Sequence, residues 1–462
     1  MSITAAFMVP HPPMIVPEVG KGSEKCVEKT IHSYERVAEE VAALKPETII
    51  ISSPHSIMYA DWFHISPGKS AKGSFASFGA GAVSFEEEYD EELVREIEAL
   101  ATEAGLPAGT MGERKPELDH GTLVPLFFIR QKYKGGKIIR IGLSGLPLVD
   151  HYALGCLIKA AVEKLGRNAV YIASGDLSHK LKETGPYGFA PEGPEYDRRI
   201  MDVCGRGAFG ELFSFDSAFC DKAAECGHRS FVMMAGALDG EKVRATEFSH
   251  EDVTGVGYGI CSFYPTGESD ENRRFLDIYL SEERRKLKEK RDASDAYVRL
   301  ARETIEKYIT QRTVPEITED LPKEMRERRA GAFVSIHKQG ELRGCIGTIL
   351  PVKDCIAKEI ISNAVSASTK DPRFNPITAE ELEWLEINVD ILGEPEDISS
   401  PAELDVKRYG VIVTKDARRG LLLPDLEGVD TVEDQIAIAK RKAGIAENEE
   451  VELQRFEVVR HV

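Results

Sequence analysis

Short apolar runs alternate with amphipathic stretches over the first 266 residues. Ile3–Val9 is a continuous apolar run of the length of a buried strand. Val27, Ile31, Tyr34, Val41 and Leu44 then recur at the three-, four- and seven-residue spacings that share one helix face. Thr48–Ser52 repeats the buried-strand pattern, Glu91–Ala104 reads as a helix, Lys137–Leu143 as a strand and Tyr152–Leu165 as a helix. Ala169–Ala173 is again a strand, Pro194–Val203 and Phe231–Leu238 are helices, and Val256–Phe263 closes as a strand. Such alternation predicts an α/β domain with a central sheet and helices on both faces.

The pattern changes after this. Residues 267–292, GESDENRRFLDIYLSEERRKLKEKRD, hold eight acidic and eight basic residues in 26. A run of this kind is a solvated helix face, and it is expected to be a charged helical linker. Residues 293–462 open with a helix over Ala296–Thr310 and continue with mixed short strands and helices, which points to an α+β domain. The expected organisation is therefore 1–266, a linker at 267–292, and 293–462. Both pieces are ordinary domain sizes, and no internal repeat or low-complexity tract is visible.

Composition narrows the function classes. The 59 Lys and Arg against 78 Asp and Glu leave a net charge of −19, the wrong sign for a nucleic-acid or anionic-membrane binder. The apolar runs are too short to span a bilayer. The first basic residue is Lys21, and Pro10, Pro12, Pro13 and Pro17 would break a signal-peptide helix, so a cytoplasmic protein is expected. Eight dispersed cysteines without a CxxC give no thiol zinc pattern and suit a reducing compartment.

Histidine carries the chemistry. Nine of the eleven lie before residue 266. His11 ends the first strand in MVPHPP, His55 ends the second in TIIISSPHS, and His179 follows a third in VYIASGDLSHK. His120 lies in a loop before a helix, in ELDHGTLVPL. Ligands of open α/β sheets gather beyond the carboxyl ends of strands, so three or more of these imidazoles are placed to converge. Two imidazoles and a carboxylate make the facial set of a mononuclear non-haem iron(II) site. Glu225, Glu247 and Glu251 all offer the carboxylate, and spacing does not choose among them. Asp176 reads as the cap of a following helix.

MVPHPP, SPH, LDHG, SGDLSH and the pair CGHRSFVMMAGAL and SHEDVTGVGYG occur in that order. In these motifs residues 1–265 resemble the class III, LigB-type, extradiol ring-cleaving dioxygenases. The resemblance implies that His11, His55 and Glu251 bind the metal, with Glu251 four residues before Gly255-Val256-Gly257-Tyr258. It also implies that His179 is the acid/base and that His120 helps hold substrate or oxygen. The expected cofactor is Fe(II), with another divalent metal as the variant, and the expected substrate is a catecholic or aminophenolic ring. Two other readings stand beside it. One is a metal enzyme of the same fold that, without oxygen, cleaves a C–C bond of a cyclic carbonyl substrate or hydrolyses it. The other is a redox or metal-binding adaptor like the Memo-type relatives, whose ligand set has changed.

In the second part, LRGCIG (Leu342–Gly347), DPRFNP (Asp371–Pro376) and GVIVTKDARRGLLLP (Gly410–Pro424) resemble the AMMECR domain. The pairing of the two domains is similar to the AmmeMemoRadiSam grouping, which makes a radical SAM enzyme a candidate partner. A homo-oligomer is also expected. Within LRGCIG, Cys345 beside Arg343 is placed to be an exposed thiol of lowered pKa, but the preferred reading packs it beneath a tight turn that needs Gly344 and Gly347. Arg418-Arg419-Gly420 offers either an anion site or pairing with nearby acids, and the second reading is preferred.

Overall fold

The computed structural model describes residues 2–426 and 428–462. The chain forms two compact units, Met1–Leu280 and Ser281–Val462. Among the described residues, no helix is long and apolar enough to cross a membrane.

The sheet of the first unit is built from β1 (Ile3–Val9), β2 (Thr48–Ser53), β3 (Lys137–Gly142), β4 (Ala169–Ser174), β5 (Glu241–Glu251) and β6 (Tyr258–Ser269). Its order is β3-β2-β4-β1-β6-β5. The first four strands are parallel, and β6 joins β1 antiparallel with Met8 opposite Cys261. The helices are α1 (Glu28–Leu44), α2 (Glu91–Ala104), α3 (His120–Lys132), α4 (Leu148–Lys164), α5 (Glu192–Arg206) and α6 (His228–Gly236). Side chains of β1 alternate between two cores, as a pleated strand requires. Ala5, Phe7 and Val9 meet Tyr34, Val37 and Val41 of α1 and Leu123 and Val124 of α3. Ala6 and Met8 face Tyr152, Leu154 and Ile158 of α4 and Phe231 of α6. Burial on both faces explains why the parallel strands read as unbroken apolar runs. The expected sheet with helices on both faces is present.

The boundary differs from the expectation. A helix α7 runs over Phe275–Ala293, and its beginning belongs to the first unit. Phe275 and Leu276 pack against that unit's core, and Tyr279 stacks on Phe213 with ring centroids 4.7 Å apart. Arg273 donates to the carbonyl of Glu241 at 2.6 Å and that of Gly207 at 2.9 Å. Residues 273–279 are thus structural parts of the first unit, while in the second unit Arg284 pairs with Glu383 at 3.2 Å and lies over the Trp384 ring. A chain ending at residue 266 should lose roughly 3–5 kcal/mol of stability relative to one ending at 280. That sum takes the low end of the burial energy for three large side chains. Thermal unfolding of the two pieces, followed side by side, measures it; equal midpoints would restore the boundary at 266.

The second unit contains β7 (Ala332–Lys338), β8 (Glu341–Gly347), β9 (Leu385–Leu392), β10 (Glu396–Ile398), β11 (Tyr409–Lys415), β12 (Arg418–Leu422) and β13 (Glu452–His461). The sheet runs β8-β7-β9-β13-β11-β12, with β10 beside β13. Helices α8 (Ala296–Gln311) and α9 (Ile356–Thr369) share a core with Ala332, Val334 and Ile336 of β7, and α10 (Val432–Lys442) covers β11 and β12. This is an α+β unit, as expected. LRGCIG is not a tight turn: it forms β8, an edge strand with Cys345 opposite Ser335. Its glycines serve close approach. A Cβ on Gly344 would lie 2.3 Å from the Ala367 carbonyl of α9, and one on Gly347 would lie 2.2 Å from the Phe333 ring. Arg418 does pair with Glu449 at 2.7 Å, whereas Arg419 donates to the neutral Gln454 amide at 2.8 Å.

Candidate metal centre

β2, β4 and β1 lie side by side and end at the same edge of the sheet. Past their carboxyl ends the chain places His55, Ser174 with Asp176 and His179, and His11. His120 opens α3 rather than lying in the loop before it. Asp119 caps that helix, accepting from Thr122 N at 3.1 Å and from Ser53 Oγ at 2.5 Å, and so ties α3 to the end of β2. Asp176 caps no helix, because residues 175–191 are irregular. Instead its Oδ1 accepts the backbone N–H of His11 at 2.7 Å, clamping the end of β1 to the end of β4.

A fourth segment enters from the loop before α6. Gly175 and Gly227 touch backbone to backbone, and a Cβ on Gly175 would stand 2.1 Å from Gly227 Cα. This contact seats Cys226 at the histidine cluster. Gly175→Ala should push the Cys226 loop away, costing about 1–3 kcal/mol of stability and lowering metal occupancy. Chemical denaturation and metal analysis on the same preparation check both, and full occupancy in a destabilised variant would disprove the positioning role.

The geometry is specific. His11 is buried, and its Nδ1 lies 2.9 Å from Ser174 Oγ. The Ser174 hydroxyl donates its own proton to the Gly121 carbonyl at 2.6 Å, so it receives the His11 Nδ1 proton. That leaves the lone pair of His11 on Nε2. His55 Nε2 lies 2.9 Å from His11 Nε2, and Cys226 Sγ lies 3.6 Å from it. The three donor atoms all fall within 4.8 Å of one another. His120 stacks on His55 with centroids 3.9 Å apart, and Phe78 meets His120 edge-on at 5.3 Å. His179 Nδ1 bonds the Ala224 carbonyl, and the ring of Tyr187 stands edge-on to it at 5.1 Å.

These surroundings hold the imidazoles neutral. Burial, then repulsion from His55, His120 and His179, lowers the pKa of His11 well below its ordinary value. Burial and His120 bring His55 down to about 4, and burial lowers His120 and His179. Burial, Asp176 and Glu225 keep the Cys226 thiol well above its usual range. Burial raises Asp176 to about 7, partly opposed by its bond from His11 N. Neutral imidazoles crowded round a thiol are the donor set of a cation that displaces the thiol proton. Two nitrogens and one sulfur suit iron, copper or zinc better than magnesium or calcium.

Each candidate carboxylate has its own place in the fold. Glu251 is outside the converging set. Its Oε2 accepts from Thr30 N and Thr30 Oγ1, both at 2.7 Å, which makes it a cap for the first turn of α1. Glu247 sits within β5 opposite Cys261, and Glu225 accepts from His228 N at 2.6 Å at the start of α6. The neighbouring His250 bonds Asp197 at 2.7 Å. Cys226 was not singled out from sequence. Its one signal was the stretch CGHRS between two apolar helical segments, with no ligand spacing to mark it.

Two family models match the two parts of the chain. The family described as "Catalytic LigB subunit of aromatic ring-opening dioxygenase" matches residues 5–261, and the AMMECR1 family matches residues 298–461. Protein CA_C1420 of Clostridium acetobutylicum is 41% identical over 469 residues, covering 100% of this chain and 99% of its own. A Thermotoga maritima protein is 54% identical over 167 residues, covering 36% of this chain and 96% of its own. Among solved structures, the uncharacterized protein PH0010 from Pyrococcus horikoshii matches with 32% identity and a TM-score of 0.34, covering 36% of this chain and 88% of its own.

Proposed function

Since the chain belongs to the LigB family of aromatic ring-opening dioxygenase subunits and carries an AMMECR1 domain, we propose that its first unit is a metal-dependent oxidoreductase opening the ring of a catecholic or aminophenolic substrate. The observation that carries this reading is the convergence of His11 Nε2, His55 Nε2 and Cys226 Sγ beside a free ring nitrogen of His179. Cys226, as thiolate, supplies the single negative charge otherwise expected of a carboxylate. The chemistry that a bound iron(II) supplies is electron transfer between an electron-rich ring and dioxygen. The chain's own residues then divide the remaining work. His179 donates Nδ1–H to Ala224 O, which leaves Nε2 free to take a hydroxyl proton from the substrate. Phe78 and His120 form an aromatic wall at 5.3 Å spacing against which a flat ring stacks.

A second reading rests on the thiol itself. Two imidazoles and one thiolate also suit a redox metal-binding protein that turns nothing over. Anaerobically prepared protein separates the two. One iron per chain with oxygen uptake on a panel of catechols and aminophenols is the expected result. Bound metal with no uptake on any of them would overturn ring opening in favour of the second reading.

A further inference from the structure

The second unit holds a cavity of about 680 Å³ with chemistry of its own. Its floor is the face of β7, β8 and β9 turned away from α8 and α9. On β7, Val334 and Ile336 are buried toward those helices, while Phe333, Ser335 and His337 point the other way and are half-buried. Cys345 stands opposite Ser335 in the ladder, so a thiol and a hydroxyl share that face, with Sγ 3.2 Å from Oγ. The thiol's backbone is held firmly. Cys345 N donates to Asp371 Oδ2 at 2.9 Å, and Arg373 Nη2 donates to the Cys345 carbonyl at 3.2 Å.

Apolar side chains, among them Leu342, Leu421 and Leu423, line the walls, and four cations, Arg373, Arg419, Lys442 and Arg460, also border the space. Two of the four are neutralised: Arg373 pairs with Asp371 at 2.7 Å and Arg460 with Asp390 at 2.9 Å. Among the described residues Arg419 bonds only the Gln454 amide, and no carboxylate pairs with Lys442. The Lys442 pKa is lowered by partial burial, with Cys345 and Arg373 in electrostatic range. In a chain of net charge −19, a cavity with a surplus of two cations is built against the prevailing sign.

We propose that this cavity is a binding site for a small organic anion with an apolar body, a carboxylate or a phosphate ester. Lys442 and Arg419 receive the anionic group, the leucines cover the body, and Cys345 Sγ and Ser335 Oγ meet its inner end.

The test uses the full-length protein and two alkylating reagents of different charge, iodoacetate and iodoacetamide. With either one, the Cys345 sulfur forms a C–S bond as the C–I bond breaks, iodide leaves, and the thiol proton passes to buffer. Peptide mass spectrometry gives the rate at Cys345, and the same peptide in the urea-unfolded chain supplies the reference ratio. Folded protein should favour the anionic reagent by about tenfold over that reference, the low end of enrichment in a single-sign cleft. Combining Lys442→Gln with Arg419→Gln should return the ratio to about one. At constant ionic strength, benzoate should protect Cys345 saturably and benzamide should not. Stronger protection by inorganic phosphate than by benzoate assigns a phosphate ester, and the reverse assigns a carboxylate. No preference in the folded chain overturns the proposal, as does a preference that survives in a double variant with native near-ultraviolet circular dichroism. Failure of both anions to protect, or equal protection by benzamide, also overturns it.

Discussion

Cys226→Ser should weaken metal binding by about 10²–10³-fold, while Glu251→Gln should leave the stoichiometry unchanged. The magnitude follows from apparent energies of ~10–16 kcal/mol in four-ligand sites, or roughly 3 kcal/mol per ligand. A serine hydroxyl in the same place does not ionise near neutral pH and gives the cation no charge. Cys226 Sγ stands 3.6 Å from His11 Nε2, within the same cluster as His55. Glu251 instead spends one oxygen on Thr30 N and Oγ1. Glutamine keeps an acceptor there but loses the charge that favours a helix N-terminus, a cost of about 0.5–1 kcal/mol. Metal titrations of the two variants, prepared anaerobically, decide between thiol and carboxylate. Retention by Cys226→Ser with loss by Glu251→Gln would return the carboxylate to the ligand set.

His11 and His55 were legible because each follows an apolar strand beside a proline, His179 because it follows a third such run, and His120 because it stands beside Gly121 ahead of an apolar helix. A parallel sheet buried on both faces leaves such runs unbroken, and only their ends can hold exposed chemistry. Cys226 was not legible for the opposite reason. It reaches the cluster through the Gly175–Gly227 contact, which joins segments about fifty residues apart and leaves no periodic trace. The register that pointed to Glu251 placed the residue at the correct end of the sheet. It missed that β5 is an edge strand beside α1, where a carboxylate finds a helix start before it finds an imidazole.

Polar strands were the other blind spot. β5, EKVRATEFSHE, is half-exposed along its length and shows no apolar run, yet it completes the sheet. The hairpin of Ser70–Phe75 and Ala80–Glu88 is similarly exposed and was unmarked. In the charged segment, sixteen ionic side chains concealed Phe275, Leu276 and Tyr279, whose one-, three- and four-residue separations make a short apolar stripe. In LRGCIG the glycines suggested a turn, whereas they serve the close approach of a helix carbonyl and an aromatic ring. Glycine marks two physical needs, and sequence does not distinguish them.

His179→Ala should lower turnover by about 10²–10⁴-fold while metal content stays nearly full, the range for a lost general base. His179 is outside the converging donor set, and its Nδ1 is committed to the Ala224 carbonyl. In the proposed function Nε2 is therefore the atom that takes the proton, and removing the ring should remove no ligand. The pH profile gives an independent readout. Burial lowers the His179 pKa below its ordinary 6.5, an effect that the Ala224 bond only partly offsets. A base works unprotonated, so the midpoint of the acid limb should lie below pH 6.5. In His179→Ala the acid limb should disappear from the residual rate, because the titrating group is gone. Should the variant lose its metal, His179 is a ligand; should it keep both metal and rate, the proton goes elsewhere.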